Sequence, residues 1–201
     1  MKSISQDQII LIIGSIIPLI VSNVLHMIVV KFDYLASLKR PLHVGWFGSN
    51  KTLRGFVFVP LANGLVYLWV NFPGGWLLSH LSPNYQLAST LNLGDINLLN
   101  LVMHQFLIGG SYGLFYMLFE LPNSWIKRRL GIASGKNSST NQWLFTLLDK
   151  TDSALGVSLI FGFMNDHHFN FGMMFQFFFC AAMLHFAISG LLVVSKIKKS
   201  F

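Results

Sequence analysis

The sequence predicts an all-α fold: a polytopic membrane helical bundle with about five transmembrane helices, its N-terminus outside and its C-terminus in the cytoplasm. Composition is the first observation that supports this class. Of the 201 residues, 53% are hydrophobic and only 10% are charged, and the mean hydropathy is +0.58. A soluble domain carries roughly 25% charged residues. The composition therefore excludes an ordinary soluble fold.

Apolar runs are the second observation, because a helix needs about 20 residues to cross a bilayer. No charge-rich or proline-rich stretch between the runs is long enough to be a separate soluble module. We therefore expect residues 1–201 to form a single integral membrane domain. The predicted spans cover residues 9–30, 55–72, 98–119, 143–164 and 171–195.

The distribution of lysine and arginine is the third observation, and it predicts the orientation. Loop 31–54 has five such residues and loop 120–141 has four, whereas 73–97 and 165–170 have none and the tail after 195 has three. Short loops rich in Lys and Arg stay in the cytoplasm. Five spans with the N-terminus outside place both basic loops in the cytoplasm and satisfy every segment. The net charge of +7 is then largely a matter of topology, so we expect no nucleic-acid partner.

Two acids inside the fourth apolar run are the first candidates for chemistry. Asp149 and Asp152 are three residues apart, which places both on one face of a helix, one turn apart. They could share one Mg²⁺, which usually takes one or two carboxylates together with phosphate oxygens and water. Acids at a helix start can instead simply interact with the helix dipole. Carboxylates within an apolar segment are more typical of a functional site.

A second polar set follows the third apolar run. Glu120, Asn123, Ser124 and Lys127 are spaced i, i+3, i+4, i+7, which is one face of a helix. Pro122 is expected to kink or restart that helix. This face could bind a ligand, or it could be only a helix end that leaves the membrane.

The basic residues allow two interpretations. Lys127, Arg128 and Arg129 are typical of a positive-inside anchor, but arginine also binds phosphate oxygens in a bidentate way. Lys51 and Arg54 lie in a glycine-punctuated stretch whose backbone could approach a phosphate closely. The single cysteine, Cys180, excludes an internal disulfide and a cysteine-based metal cluster.

Three segments together resemble the CDP-archaeol synthase family, the CTP-dependent cytidylyltransferases of polyprenyl-glycerol phosphates, which are related to phosphatidate cytidylyltransferases. The family pattern runs K-T-x-R-G, then D-x-x-G-S-F-x-K-R-x-x-G-x-x-x-G, then D-Q-L-D. Their order and approximate spacing match over 45–156. The segments are 50–55 (NKTLRG), 124–131 (SWIKRRLG) with Gly135, and 148–152 (LDKTD).

Departures from the family pattern bear on the lipid. Glu120 stands where the family has Asp, Asn123 stands where it has Gly, and Lys150-Thr151 replaces Gln-Leu between the two acids. The acids and cations themselves are retained. A diacylglycerol phosphate or another lipid phosphate could therefore replace the archaeal ether lipid.

The resemblance implies a Mg²⁺-dependent transfer of CMP from CTP to a lipid phosphate at the cytoplasmic face of the cell membrane. Its partners would be CTP, the lipid phosphate and membrane lipids, and a homo-oligomer is compatible with the sequence. The resemblance implies metal binding by Asp149, Asp152 and Glu120, and catalytic roles for Lys127, Arg128, Asp149 and Asp152. It implies substrate binding by Asn50, Lys51, Thr52, Arg54, Asn123, Ser124 and Arg129.

Two other classes of membrane protein have some of these features. CDP-alcohol phosphotransferases need a long D-x-x-D-G signature, whereas Ser153 follows Asp152 here. A non-enzymatic small transporter or lipid-binding membrane subunit would explain intramembrane acids as an ion path. It would not need cations clustered beside those acids.

Overall fold

The computed structural model describes residues 6–71, 98–136, 142–164 and 171–195, and these residues are predominantly helical. The all-α class is therefore confirmed. In chain order the helices are α1 (Gln6–Lys31), a short 3-10 helix (Ala36–Leu38), α2 (Val44–Phe47), α3 (Leu53–Asn71), α4 (Leu98–Arg129), α5 (Gln142–Met164) and α6 (Phe171–Val194).

Four of the described helices, α1, α3, α4 and α6, are long and apolar enough to cross a membrane. Helix α5 coincides with the fourth predicted span but does not qualify on the same criteria. Asp149, Lys150 and Asp152 interrupt its first half. A membrane protein with four candidate spans is what the structure supports. The fifth span and the orientation of the termini stay predictions, and the intervening segments 73–97 and 165–170 and the tail after 195 lie outside the described residues.

The outer surface of the bundle is apolar. Leu65, Trp69, Met183 and Leu191 are each at least 60% exposed. Soluble monomers rarely expose contiguous apolar patches of more than a few hundred Å². Lipid chains solvate such a surface, so the exposed side chains agree with a membrane setting.

The interior is filled by aromatic and branched side chains from five helices. Ile16 of α1, Tyr67 of α3, Tyr112 of α4, Phe161 of α5 and Phe177 of α6 belong to one buried cluster. The rings of Phe161 and Phe177 stack with centroids 4.3 Å apart. This cluster fixes α5 and α6 against the rest of the bundle.

Small residues bring α3 and α4 together, as the glycines of the third apolar run predict. A Cβ added at Gly109 would lie 2.4 Å from Cβ of Tyr67, and one at Gly113 would lie 2.8 Å from Cα of Pro60. The close approach is further fixed by Asn63, whose Nδ2 donates to the Gly109 carbonyl at 2.6 Å. Glycine at these two positions is therefore needed for the close packing of α3 against α4.

Helix α4 is longer than the apolar run predicts. It continues through Pro122 to Arg129, although residues 120–141 were expected to form a loop. The helix ends in a Schellman motif: Ile132 N donates to the Lys127 carbonyl, Gly131 N donates to the Arg128 carbonyl, and Gly131 has φ +74°. The polar face that begins at Glu120 therefore belongs to a regular helix, so its side chains all project from the same side of α4.

Candidate active site

A cavity of about 840 Å³ lies between α1, α4, α5 and α6 and beneath the segment that precedes α3. Its lining contains two kinds of side chain. Charged and amide groups come from α4, α5 and the segment before α3, a region called the charged end below, and Ile16, Ile20, Leu184 and Ile188 contribute an apolar lining. The cavity thus offers both a charged and an apolar environment within one bundle.

The segment before α3 folds back on itself at the charged end. Pro41 and Thr52 form an isolated antiparallel bridge, and the Leu42 amide donates to the Lys51 carbonyl at 2.9 Å. Asn50, Lys51 and Thr52 line the cavity as a result. The N-K-T portion of the predicted motif is therefore held in place by backbone hydrogen bonds within this segment.

The two acids of α5 converge on one side chain of α4. Asn123 Nδ2 donates to Asp149 Oδ1 at 2.7 Å and to Asp152 Oδ2 at 2.9 Å. Both carboxylates can therefore reach a single point, as the i, i+3 spacing predicts. Asn123 is only 9% exposed, and its Oδ1 is buried without a hydrogen-bond partner among the described residues.

Lys127 pairs with the first of these acids. Its Nζ lies 2.7 Å from Oδ1 and 2.6 Å from Oδ2 of Asp149. The lysine side chain is 8% exposed and that of Asp149 is 34% exposed. Lys127 Nζ also lies 5.6 Å from the Phe145 ring centroid. The ammonium group is thus buried beside one carboxylate.

Glu120 pairs with a different lysine. Lys51 Nζ donates to Glu120 Oε2, and both side chains are less than one-fifth exposed. Among the described residues, no three His, Cys, Asp or Glu side chains form a group that could hold a metal ion. Glu120 therefore lies in the cavity wall without completing a three-carboxylate set with Asp149 and Asp152.

Arg54 is buried, with 4% exposure, and its Nη1 donates to Asp33 at 2.8 Å and to the Tyr34 carbonyl at 3.1 Å. Lys39 also contacts Asp33. The hydrogen bond from Lys39, followed by that from Arg54, lowers the pKa of Asp33 below its ordinary value. These contacts keep the carboxylate ionised and fix the Arg54 head group at the edge of the cavity.

Arg128 joins the two basic segments through Ser134. Ser134 Oγ accepts hydrogen bonds from the Ser49 amide at 3.0 Å and from Arg128 Nη1 at 3.3 Å. The Arg128 Nε is buried without a partner in the described part of the chain. A guanidinium group with one unused donor therefore lies beside the cavity.

The structure brings together all but one of the predicted site residues. Arg129 does not line the cavity and instead lies over Trp125, with its guanidinium carbon 5.4 Å from the ring centroid. The predicted site residues that do line the cavity are Asn50, Lys51, Thr52, Arg54, Glu120, Asn123, Ser124, Lys127, Arg128, Asp149 and Asp152.

Several neighbours of the site were not singled out from the sequence. Asp33, Ser134 and His185 each contact the site or its supporting residues, and His185 Nδ1 lies 3.0 Å from the Lys150 carbonyl. His185 stands alone in an apolar segment, and Asp33 and Ser134 occur in ordinary loop sequence. No local pattern distinguishes such residues, because their partners are distant in the chain.

Comparison with known proteins finds no family, curated protein or solved structure that matches this chain.

Proposed function

We propose that this protein is a membrane cytidylyltransferase that transfers CMP from CTP to a lipid phosphate and releases pyrophosphate. The product would be a CDP-activated lipid, either CDP-archaeol-like or CDP-diacylglycerol-like. The observation that carries the proposal is the cavity itself. At its charged end, an acid pair lies beside several cations, and the same cavity also has an apolar lining. A reaction between a charged nucleotide and a lipid needs both environments in one place.

The acid pair fits Mg²⁺. Asp149 and Asp152 approach a common point at Asn123 Nδ2, and rotation of that amide would present its unpartnered Oδ1 there instead. Two carboxylates and an amide oxygen are hard oxygen ligands of the kind that Mg²⁺ takes, with phosphate oxygens and water completing the shell. When bound, the ion would neutralise charge on the triphosphate. Glu120, in this proposal, holds Lys51 rather than the metal.

The cations provide the phosphate contacts. Lys51, Arg54, Lys127 and Arg128 line the charged end, and the Arg128 Nε is an unused donor beside the cavity. Ionic hydrogen bonds of this kind are about twice as strong as neutral ones. The triphosphate and the lipid phosphate are both negatively charged and repel each other. These cations would reduce that repulsion and hold the two groups close together.

The apolar lining of the cavity would accept the hydrocarbon part of the lipid. Ile16 and Ile20 come from α1, and Leu184 and Ile188 come from α6. The lipid phosphate would then lie where the two parts of the cavity meet, close to the acids. The apolar lining does not distinguish isoprenoid from acyl chains, so both products remain part of the proposal.

The chemistry is a single in-line displacement. An oxygen of the lipid phosphate forms a bond to the α-phosphorus of CTP, and the bond from that phosphorus to the bridging oxygen breaks as pyrophosphate leaves. Positioning and charge stabilisation supply most of the catalysis in such transfers. Asn123 and Ser124 would orient phosphate oxygens, and no covalent intermediate with the protein is needed.

The test is turnover by the purified protein in lipid nanodiscs. Labelled CTP and Mg²⁺ are supplied with a panel of lipid phosphates that includes diacylglycerol phosphate and an isoprenoid ether glycerol phosphate. We expect pyrophosphate release and a labelled lipid with at least one of them, only when CTP and Mg²⁺ are both present. ATP, GTP and UTP serve as nucleotide controls.

Lipid binding without pyrophosphate release across the whole panel would favour a non-enzymatic lipid-binding subunit or transporter. The ion pairs within the cavity weigh against an ion path. Asp149 and Glu120 are each already compensated by a lysine. We further propose that the charged end faces the cytoplasm, where CTP is found, in keeping with the basic loops.

A further inference from the structure

Lys127 occupies the position at Asp149 that a metal ion would need. Its Nζ lies within 2.7 Å of both Asp149 oxygens, so the ammonium group donates to both oxygens of the carboxylate. Asp152, the partner acid, has no ion pair among the described residues and receives the Asn123 amide instead. Of the two acids, Asp149 is therefore neutralised by a lysine, whereas Asp152 has no ion pair in the described part of the chain.

We infer that Lys127 is a built-in competitor of the metal: a divalent cation displaces it from Asp149, and the released ammonium then binds a nucleotide phosphate. This inference rests on the proposed function and concerns regulation of the same site. The buried Oδ1 of Asn123, which has no partner among the described residues and belongs to the amide that touches both acids, independently indicates that the site is completed by a ligand.

Electrostatics makes the exchange necessary. A divalent ion and an ammonium group on the same carboxylate would lie within a few ångströms of each other, and like charges repel strongly where water is scarce. The displaced lysine side chain is only 8% exposed. Moving a buried ammonium group away from its carboxylate is costly, and a new anion nearby would offset that cost. A nucleotide phosphate bound beside the metal provides it.

The consequence is reciprocal coupling, as linkage requires. Metal binding alone is weakened because it breaks the Lys127–Asp149 pair. Nucleotide binding alone is weakened because Lys127 is held by Asp149. Each ligand prepares the site for the other, and the complete site forms only when both are present.

The first experiment measures Mn²⁺ binding without nucleotide, by electron paramagnetic resonance of the full-length protein in nanodiscs. We expect Lys127→Met to tighten Mn²⁺ binding by about tenfold or more, since a hydrogen bond to a charged group contributes roughly that factor. Arg129→Met is the matched control. It removes the same charge from the same last turn of α4, but Arg129 lies over Trp125, so we expect a change of about threefold or less. Lys127→Gln, with a thermal unfolding curve, is used if the methionine variant does not fold.

The second experiment measures CTP binding in the presence of EDTA. We expect Asp149→Asn to bind metal-free CTP about tenfold more tightly than the parent, because Lys127 is no longer engaged. Asp152→Asn removes an equal charge from the same turn without releasing Lys127, so its gain should be clearly smaller.

These measurements separate the inference from the proposed function. If Lys127→Met binds Mn²⁺ no more tightly than Arg129→Met, or Asp149→Asn binds CTP no better than Asp152→Asn, the exchange is overturned even if the parent protein consumes CTP. If both differences are found but no lipid phosphate supports turnover, the exchange stands and the cytidylyltransferase proposal fails.

Discussion

Gly48 lies so close to Ser134 that a Cβ on the glycine would be 2.2 Å from the serine Oγ. The two residues belong to the two basic segments that contribute most of the cations of the cavity. Gly48 also has φ +86° and ψ 176°, a conformation essentially restricted to glycine. The contact therefore depends on glycine for both space and backbone geometry, and it allows Ser134 to accept from the Ser49 amide.

Gly48→Ala should separate these segments. We expect a loss of about 1–3 kcal/mol in the free energy of unfolding from the strained backbone, together with reduced CTP turnover. Gly45→Ala is the control, since its Cβ would meet only the His43 ring, at 3.4 Å. The measurements are thermal unfolding and pyrophosphate release in nanodiscs. Equal behaviour of the two variants would show that the Gly48–Ser134 contact does not matter.

The orientation predicted from Lys and Arg can be tested at two exposed helix ends. Leu130, just after α4, is 62% exposed, and Phe171, at the start of α6, is 71% exposed. In a Cys180→Ser background, a membrane-impermeant thiol reagent applied to intact cells should label Phe171→Cys and spare Leu130→Cys. Permeabilised cells provide the control in which both react. The opposite pattern would place the charged end outside and remove access to cytoplasmic CTP.

Much of the site could be predicted because its residues follow local helical periodicity. The i, i+3, i+4, i+7 spacing from Glu120 and the i, i+3 spacing of Asp149 and Asp152 each specify one face of one helix. The structure turns these two faces toward each other through Asn123. Spacing within a helix is a local property, so the sequence is sufficient to predict it.

The pairing of charges could not be predicted in the same way. Lys127 and Asp149 meet because α4 packs against α5, and Arg54 meets Asp33 because the chain turns sharply after α1, where Asp33 and Leu35 have positive φ. Both depend on tertiary structure. The helical face from Glu120 was predicted, but a single helix that runs through Pro122 was not, because the proline was expected to kink or restart it. Proline is tolerated more readily in a membrane helix because neighbouring groups satisfy the freed carbonyl.

Arg128 and Arg129 provide a paired test of phosphate binding. Arg128 lines the cavity, whereas Arg129 lies over Trp125. Arg128→Ala should reduce CTP turnover by about 10- to 100-fold, the usual range for a lost hydrogen bond to a charged group. Arg129→Ala, with the same charge loss, should remain near the parent rate. If both variants insert normally and turn over CTP at equal rates, neither arginine binds phosphate, and both serve only to orient the protein in the membrane.

Asp33 should give the segment before α3 a pH-dependent stability. Its pKa is lowered from 3.8 by Lys39 and then Arg54, so the stabilisation is complete above that value and is lost as the pH falls through the lower folded-state pKa. Asp33→Asn should therefore unfold at a lower temperature than the parent at neutral pH. The difference should shrink as the pH falls below 3.8.

Lys39→Gln is the control for the Asp33 prediction, because it removes the exposed partner and leaves the Arg54–Asp33 pair. Its effect at neutral pH should be smaller than that of Asp33→Asn, since Arg54 is buried. A parent-to-variant difference that persists unchanged in acid would mean that Asp33 acts through packing rather than charge.

Asp152→Asn is the most direct test of the metal site, because Asp152 has no ion pair among the described residues. Asparagine keeps one acceptor oxygen, whereas Asp152 accepts from both Asn123 and the Ser153 amide, so the free energy of unfolding should fall by only about 1 kcal/mol for the lost hydrogen bond. Turnover should fall by about 100-fold, as expected when a charged contact is lost, and any remaining activity should need more Mg²⁺. Asp149→Asn is less clear-cut, since it leaves Lys127 without its carboxylate. Its stability should fall by less than the roughly 3–5 kcal/mol of a fully buried broken pair, because Asp149 is one-third exposed. Parent-level turnover with unchanged Mg²⁺ dependence in Asp152→Asn would show that this carboxylate does not hold the metal.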